Sequence, residues 1–321
     1  MCYYQWMIER YIERRKTFGK TKIYLIIFLV VAAWGFNVTA TKILVTNFMP
    51  VTMTAARIFV AGVFVFIFLA LMKRIRRLTK REWRTVIIAS LFSVVGHQYF
   101  LSVGLTETTA SNGGMILGTV PLMTAIMAVI FLGDRLTLVR VVGFLLGLIG
   151  VSFIVIVGNE GLSEVSIGDI HVFLSVLAQA ISFIIIAKAS PTLDPRLLTG
   201  YMLIIGSIGL FGIGLFLEPN GLDSLLGQSN IGIWAIFLAS AVISTALGHM
   251  FYNDSIGKVG PAATAIFLNL NPFFALISAV LFLDEVIGIT QVLGFILILA
   301  GVFLGSGAYE EIRRKRRLKQ V

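Results

Sequence analysis

Apolar residues in this chain do not alternate with polar ones. They run on. Ten stretches, 23–45, 50–72, 85–105, 109–132, 137–157, 167–188, 197–217, 231–252, 259–283 and 287–308, are dominated by apolar side chains. Each has the length of about 20 residues that a helix needs to cross a bilayer's hydrocarbon core. A membrane-spanning barrel would show period-two alternation instead. The pattern therefore predicts an all-α polytopic membrane protein with ten transmembrane helices and no soluble domain. The first stretch carries no A-x-A-like cleavage site, so it is expected to be a retained helix rather than a removed signal.

Composition sharpens this picture. Hydrophobic residues are 58% of the 321 positions and charged residues 13%, about half the roughly 25% of a soluble domain. The net charge of +10 would suggest nucleic acid in a soluble protein, but its distribution excludes that reading. Lys and Arg concentrate before residue 23, in KRIRRLTKREWR (73–84) and after residue 308, with Arg135, Arg140, Lys188, Arg196 and Lys258 in alternate short loops. The intervening loops, 46–49, 106–108, 158–166, 218–230 and 284–286, contain neither Lys nor Arg. By the positive-inside rule both termini are expected in the cytoplasm, as basic tails over 1–22 and 309–321. Anionic lipid headgroups are a second use for the basic runs. The single cysteine, Cys2, allows no internal disulfide and suggests no metal set, and no cofactor is expected.

The chain also repeats itself. Residues 118–151 laid on 269–302 need no gap: Pro121 meets Pro272, Ala128-Val129 meets Ala279-Val280, Phe131-Leu132 meets Phe282-Leu283, and Gly143-Phe144 meets Gly294-Phe295. The pentapeptides GHQYF (96–100) and GHMFY (248–252) hold two of the three histidines and follow nearly the same offset. The expected organisation is two five-helix repeats, 23–157 and 167–308. Five is odd, so the second repeat is expected to enter the membrane inverted, with a substrate site near mid-depth where the repeats meet.

These residues resemble a family. AWGFNVTATK, Pro50 with AARIFVAG, and ETTASNGGMILGTVPLMTAIMAVIFLGDRLT followed by GFLLGLIGV look like an EamA-type repeat. VGPAATAIFLNLNPFFALISAVLFLDE echoes it in the second half. The chain over 23–308 is similar to the ten-helix branch of the drug/metabolite transporter superfamily. The order of the pieces, their duplication and the ten-helix count carry the resemblance. The family usually places Gly-Glu at the end of its fourth and ninth helices; here those positions are Gly133-Asp134 and Asp284-Glu285. The resemblance implies export more often than import.

Candidate chemistry follows from polar residues at membrane depth. Pro121 and Pro272 free the carbonyls of Leu117 and Leu268, which need a partner or a water-lined cavity. Asn112, Asn269 and Asn271 stand on the same two segments. They line either the central cavity or a kink satisfied by neighbouring helices. Trp34, beside Asn37, lies mid-segment and far from the interface that Trp favours; it forms a cavity wall or a tight helix contact. Arg57 either meets a substrate carboxylate or holds carbonyls and amides structurally. His97 and His249 are candidates for a proton relay, with helix-contact hydrogen bonds as the alternative. The glycines of GFLLG (143–147) and GVFLG (301–305) suit packing within one chain or contact between two copies as a homodimer.

No carboxylate stands clearly at mid-depth, so the expected solute is a small neutral, zwitterionic or anionic metabolite, amino-acid-like compounds among them. No G-x-x-x-x-G-K-[ST] stretch occurs, which argues against ATP hydrolysis by this chain. The expectation is a non-enzymatic secondary transporter of the cytoplasmic membrane working by alternating access. A multidrug or nucleotide-sugar-type carrier is the neighbouring alternative, and a membrane sensor or scaffold the remote one.

Overall fold

The computed structural model describes residues 2–132, 137–157, 166–259, 264, 267–305 and 309–310. Its elements are α1 (Cys2–Asn47), α2 (Pro50–Leu71), α3 (Lys80–Glu107), α4 in two pieces (Ala110–Leu117 and Val120–Leu132), α5 (Leu138–Val157), α6 (Ile167–Ala189), α7 (Pro195–Leu217), the short α8 (Gly221–Leu226), α9 (Ile231–Val259), α10 (Asn271–Leu283) and α11 (Ile289–Gly305). No strand occurs among the described residues. Among the described residues seven helices are long and apolar enough to cross a membrane; Leu138–Gly150, α10 and α11 are shorter apolar helices. The basic segment before residue 23 continues as helix into α1. Gly133, Asp134 and Arg135, the acidic loop residues Glu160 and Glu164, and most of the basic C-terminal tail lie outside the described residues.

Local chemistry sets the helix boundaries. Thr79 and Glu82 form a reciprocal capping box at the start of α3, satisfying amides that have no partner inside the helix. Pro50 and Pro195 occupy the first turns of α2 and α7, where the missing N–H costs nothing. The Asp194 carboxylate accepts from Arg196 N at 3.0 Å. The burial pattern is the reverse of a water-soluble protein's. Arg57, Gln98, Thr54 and Ser175 are buried, whereas Phe216 is 89% and Leu71 79% exposed. Apolar side chains turned outward and polar ones turned inward suit hydrocarbon as the surrounding solvent.

Equivalent helices of the two repeats pack directly against each other and run antiparallel. A Cβ on Gly200 of α7 would touch Val65 of α2, while one on Gly214 would touch Thr52. On α5 and α11 the backbones meet: a Cβ on Gly143 would collide with Gly305 N, and one on Gly150 would stand 2.7 Å from Gly294 O. This uses the four-residue glycine spacing for packing within the chain. On α4 and α10, Gly114 faces Ala275 and Gly118 faces Pro272. α4 breaks and α10 begins at matching places, with turns at Gly118-Thr119 and Asn269-Leu270, two residues before the matching prolines.

Asp284 explains the departure from Gly-Glu. It adopts φ 54°, ψ 28° at the C-terminus of α10, a left-handed conformation that glycine takes without strain and that Asp tolerates better than most residues.

Candidate functional site

The two GH pairs have a shared structural cause. α3 widens into a π-helix over Leu91–Gly96, and α9 does so over Ser240–Gly248. Each wide turn ends on the glycine that precedes His97 or His249. A π stretch shifts carbonyls off their usual partners, and side chains take them up. Thr245 Oγ1 donates to Ser240 O at 2.9 Å, and Trp34 Nε1 donates to Ser244 O at 2.8 Å. Gly248 permits that second bond, because a Cβ there would stand 2.6 Å from Trp34 Nε1. His249 Nδ1 lies 3.0 Å from Thr245 O, and His97 Nδ1 lies 3.1 Å from Ser175 O. A carbonyl only accepts, so both Nδ1 atoms carry a proton and Nε2 is the atom left for other chemistry.

Both histidines line one cavity with about 640 Å³ of space free of protein atoms, counting the part open to its surroundings. α1 contributes Trp34, Asn37, Val38 and Thr41; α3 contributes His97, Gln98 and Leu101. Leu117 and Val120 of α4, Gln179 and Phe183 of α6, and Leu268 and Asn271 before and within α10 complete it. Leu117 and Leu268 are the residues whose carbonyls the two prolines release. Trp34 packs at 5.0 Å from His249 and 4.9 Å from Tyr252, and Phe183 stands 5.4 Å from Tyr252, so one wall is aromatic. Among the described residues no carboxylate, lysine or arginine lines the cavity. Gln179 Oε1 and Asn271 Oδ1 are buried without a hydrogen-bond donor.

The other sequence candidates stand elsewhere. Arg57 is 1% exposed and lies behind the wall, because three side chains hold its guanidinium there. Nη1 donates to Ser240 Oγ at 3.1 Å and Thr245 Oγ1 at 2.9 Å, and Nη2 donates to Gln98 Oε1 at 2.8 Å. None of the described residues gives it an ion pair. Pro121 and Pro272 shape the breaks without lining the space. Asn269 Oδ1 is buried and unpartnered in the α10 turn, away from the cavity lining.

Asn112 sits at the end of the bundle that carries the α3–α4 turn, where Gln291 Nε2 donates to its Oδ1. That end is tied together by chemistry the sequence did not suggest. Asp169, 2% exposed, accepts from Thr108 Oγ1. The Glu285 carboxylate takes Ala110 N at 2.8 Å and Ser111 N at 2.9 Å. Lys42 donates to Leu105 O and Thr108 O, each at 2.7 Å, capping α3. At the same end Glu218 holds Val51 N and Thr52 N, each at 2.8 Å. Two carboxylates thus occupy the N-termini of two helices contributed by the other repeat, where backbone amides and the helix dipole favour negative charge. His171 is 4.0 Å from Glu107, beside the same turn.

Among the described residues no group of three or more His, Cys, Asp or Glu side chains is placed to hold a metal ion. Gln179 and Asp169 were legible in principle, as single polar residues inside or at the rim of the 167–188 stretch, by the reasoning that singled out Arg57.

Apolar helices with outward apolar faces, a polar interior and a cavity between two like halves define a polytopic helical membrane protein. A profile of the EamA-like transporter family matches residues 21–156 and again 166–307, and the chain belongs to that family. Its relatives include the uncharacterized transporter YyaM of Bacillus subtilis, 29% identical over 89% of this chain and 93% of that protein. An uncharacterized transporter of Archaeoglobus fulgidus is 25% identical over 88% and 98%. A chloroplastic WAT1-related protein of Arabidopsis thaliana is 25% identical over 84% of this chain and 66% of its own length. A protein of known crystal structure shares the fold with a TM-score of 0.66 at 14% identity, over 91% of this chain and 99% of that one.

Proposed function

We propose that this membrane transporter is a secondary carrier that moves a small organic metabolite through the cavity by alternating access. The observation that carries the reading is the cavity itself. Equivalent histidines of the two repeats face one space, bounded by the break in α4 and the matching turn before α10. The antiparallel packing of α2 on α7, α4 on α10 and α5 on α11 supports an inverted second repeat, and with it ten membrane crossings. The basic loops support both termini in the cytoplasm and the α3–α4 turn on the outer face of the cytoplasmic membrane. A wall without carboxylates, with amides, imidazole Nε2 atoms and an aromatic side, suits a neutral, zwitterionic or anionic solute, amino-acid-like compounds included. Export is the direction we assign. A multidrug or nucleotide-sugar-type carrier would use the same space.

The test is uptake of a labelled panel of amino acids, purines, sugars and cationic dyes into proteoliposomes, with and without an imposed pH gradient. Saturable flux of at least one solute is expected. No saturable flux of any solute, from protein that remains folded, would overturn the carrier reading. Flux that follows the gradient and changes in His97→Ala or His249→Ala would make the two histidines a proton relay.

A further inference from the structure

We infer that Arg57 is a positioning residue that gives one wall of the cavity the polarity of a carboxylate subsite, acting through Gln98 and Asn37. The inference rests on the carrier reading and deepens it. Arginine has only donors. Gln98 must therefore turn Oε1 toward Nη2, at 2.8 Å, and its amide nitrogen the other way. The second chain is equally directional. Ser240 Oγ accepts from Nη1, so its one proton goes to Asn37 Oδ1 at 2.5 Å. Thr245 Oγ1 also accepts from Nη1 and spends its own proton on Ser240 O. Asn37 is left with its oxygen bound and Nδ2 outward, making only a 3.5 Å approach to Thr41 Oγ1. No described residue accepts from Gln98 Nε2. Amide orientations are often arbitrary between O and N; here the donor-only cation fixes Gln98 directly, and Asn37 follows from the proton that Ser240 Oγ gives it.

Gln98 and Asn37 both line the cavity. The wall they form presents N–H donors, backed by a buried positive charge with no carboxylate partner among the described residues. A buried cation held only by neutral acceptors stays electrostatically unbalanced, and a solute carboxylate at the two amide nitrogens would balance it without touching the guanidinium. The charge belongs to one repeat only. With Pro50 laid on Pro195, Arg57 falls on Met202, so the subsite has one sense along the cavity.

The experiment compares matched solutes in proteoliposomes: each transported carboxylic acid, amino acids included, against its own carboxamide. Wild-type protein is expected to favour the acid at least tenfold in half-saturation, the scale of a charge-assisted hydrogen bond. Gln98→Met and Arg57→Met are expected to reduce that preference below about threefold, and Arg57→Lys to recover part of it. Gln98→Met keeps the guanidinium and its bonds to Ser240 and Thr245, so it carries the test if Arg57→Met does not fold. Equal flux of acid and amide in wild-type protein, or a preference unchanged in Gln98→Met, overturns the inference and leaves the carrier reading standing. Absence of saturable flux for every solute overturns both.

Discussion

Removing the Glu285 carboxylate should loosen the end of the bundle that carries the α3–α4 turn. Its two oxygens take Ala110 N and Ser111 N at 2.8 and 2.9 Å, so one side chain from the second repeat closes the N-terminus of α4. Hydrogen bonds to a charged group contribute about 1.5–3 kcal/mol each, and a negative charge at a helix N-terminus adds roughly 0.3–1 kcal/mol. Glu285 is half-buried, so water replaces part of what is lost, and the lower end of that range applies. Glu285→Ala should cost the closed arrangement about 3 kcal/mol, which raises a small open population roughly 100-fold. Glu285→Gln keeps one acceptor oxygen and loses the charge, and should cost about 2 kcal/mol, roughly a 30-fold rise. The assay is the labelling rate of a cysteine at Val38, which lines the cavity, in a Cys2→Ser background. The reagent is a membrane-impermeant maleimide added to intact cells. The expected order is Ala above Gln above wild type. Equal rates in all three, with unchanged thermal unfolding in detergent, would refute the argument that this carboxylate holds the turn closed.

Four further outcomes follow from single contacts. Gly301→Ala should destabilise by several kcal/mol, because its Cβ would stand 2.5 Å from Gly147 N, backbone against which nothing can yield; Gly212→Ala, with nothing within 4 Å, should be neutral or stabilising by about 0.5–1 kcal/mol, and thermal unfolding in detergent compares them. Asp284→Gly should stabilise by about 1 kcal/mol by relieving the left-handed backbone; a lower melting temperature would contradict this. Trp34→Phe should leave Ser244 O without the indole donor and cost about 1–3 kcal/mol, together with weaker solute binding, read by unfolding and by half-saturation. Burial alone would raise the Asp194 carboxyl, but hydrogen bonds from Arg196 and Arg74 outweigh it and hold it below its ordinary value. That stability is present above a pH of about 3.9, the unfolded value, and is lost as pH falls through the folded value. Asp194→Asn should flatten the unfolding profile in that acid window by less than about 1 kcal/mol.

The sequence made the helices and the duplication legible because hydrocarbon imposes one rule on every crossing: a long apolar run with its backbone satisfied internally. Pro121 and Pro272 pointed to the breaks for the same reason, since a lost backbone bond at membrane depth has to be answered. The π stretches were not legible. Nothing in LFSVVG or SAVISTALG differs in composition from α-helix; only the recurring Gly-His marked where they end. Nor did the sequence separate Arg57 from the cavity wall, because depth along a helix says nothing about which way a side chain faces. Asp169, Glu218 and Glu285 had the look of ordinary loop or rim acids. Glu218 and Glu285 act on amides more than 160 residues away in the chain, and Asp169 on a hydroxyl 61 residues away, relations that periodicity cannot carry.

The repeats explain both what is shared and what is not. Duplication supplies paired backbone devices: a turn within α4 and its match before α10, a widened α3 and a widened α9, glycine faces that meet across α5 and α11. Such devices tolerate a swap of roles between halves, which is what alternating access requires. The histidines stayed paired, but the buried charge and its amide did not. Arg57 lies opposite Met202 in the repeat alignment, and Gln98 opposite Met250, so the charge and the amide it orients belong to the first half alone. On the carrier reading proposed above, the symmetric frame supplies the motion, and the unpaired residues give the cavity a direction in which to hold a solute. On that argument, substitutions at the paired glycines should change stability and rate for all solutes alike, whereas substitutions at Arg57, Gln98 and Asn37 should change which solute is carried.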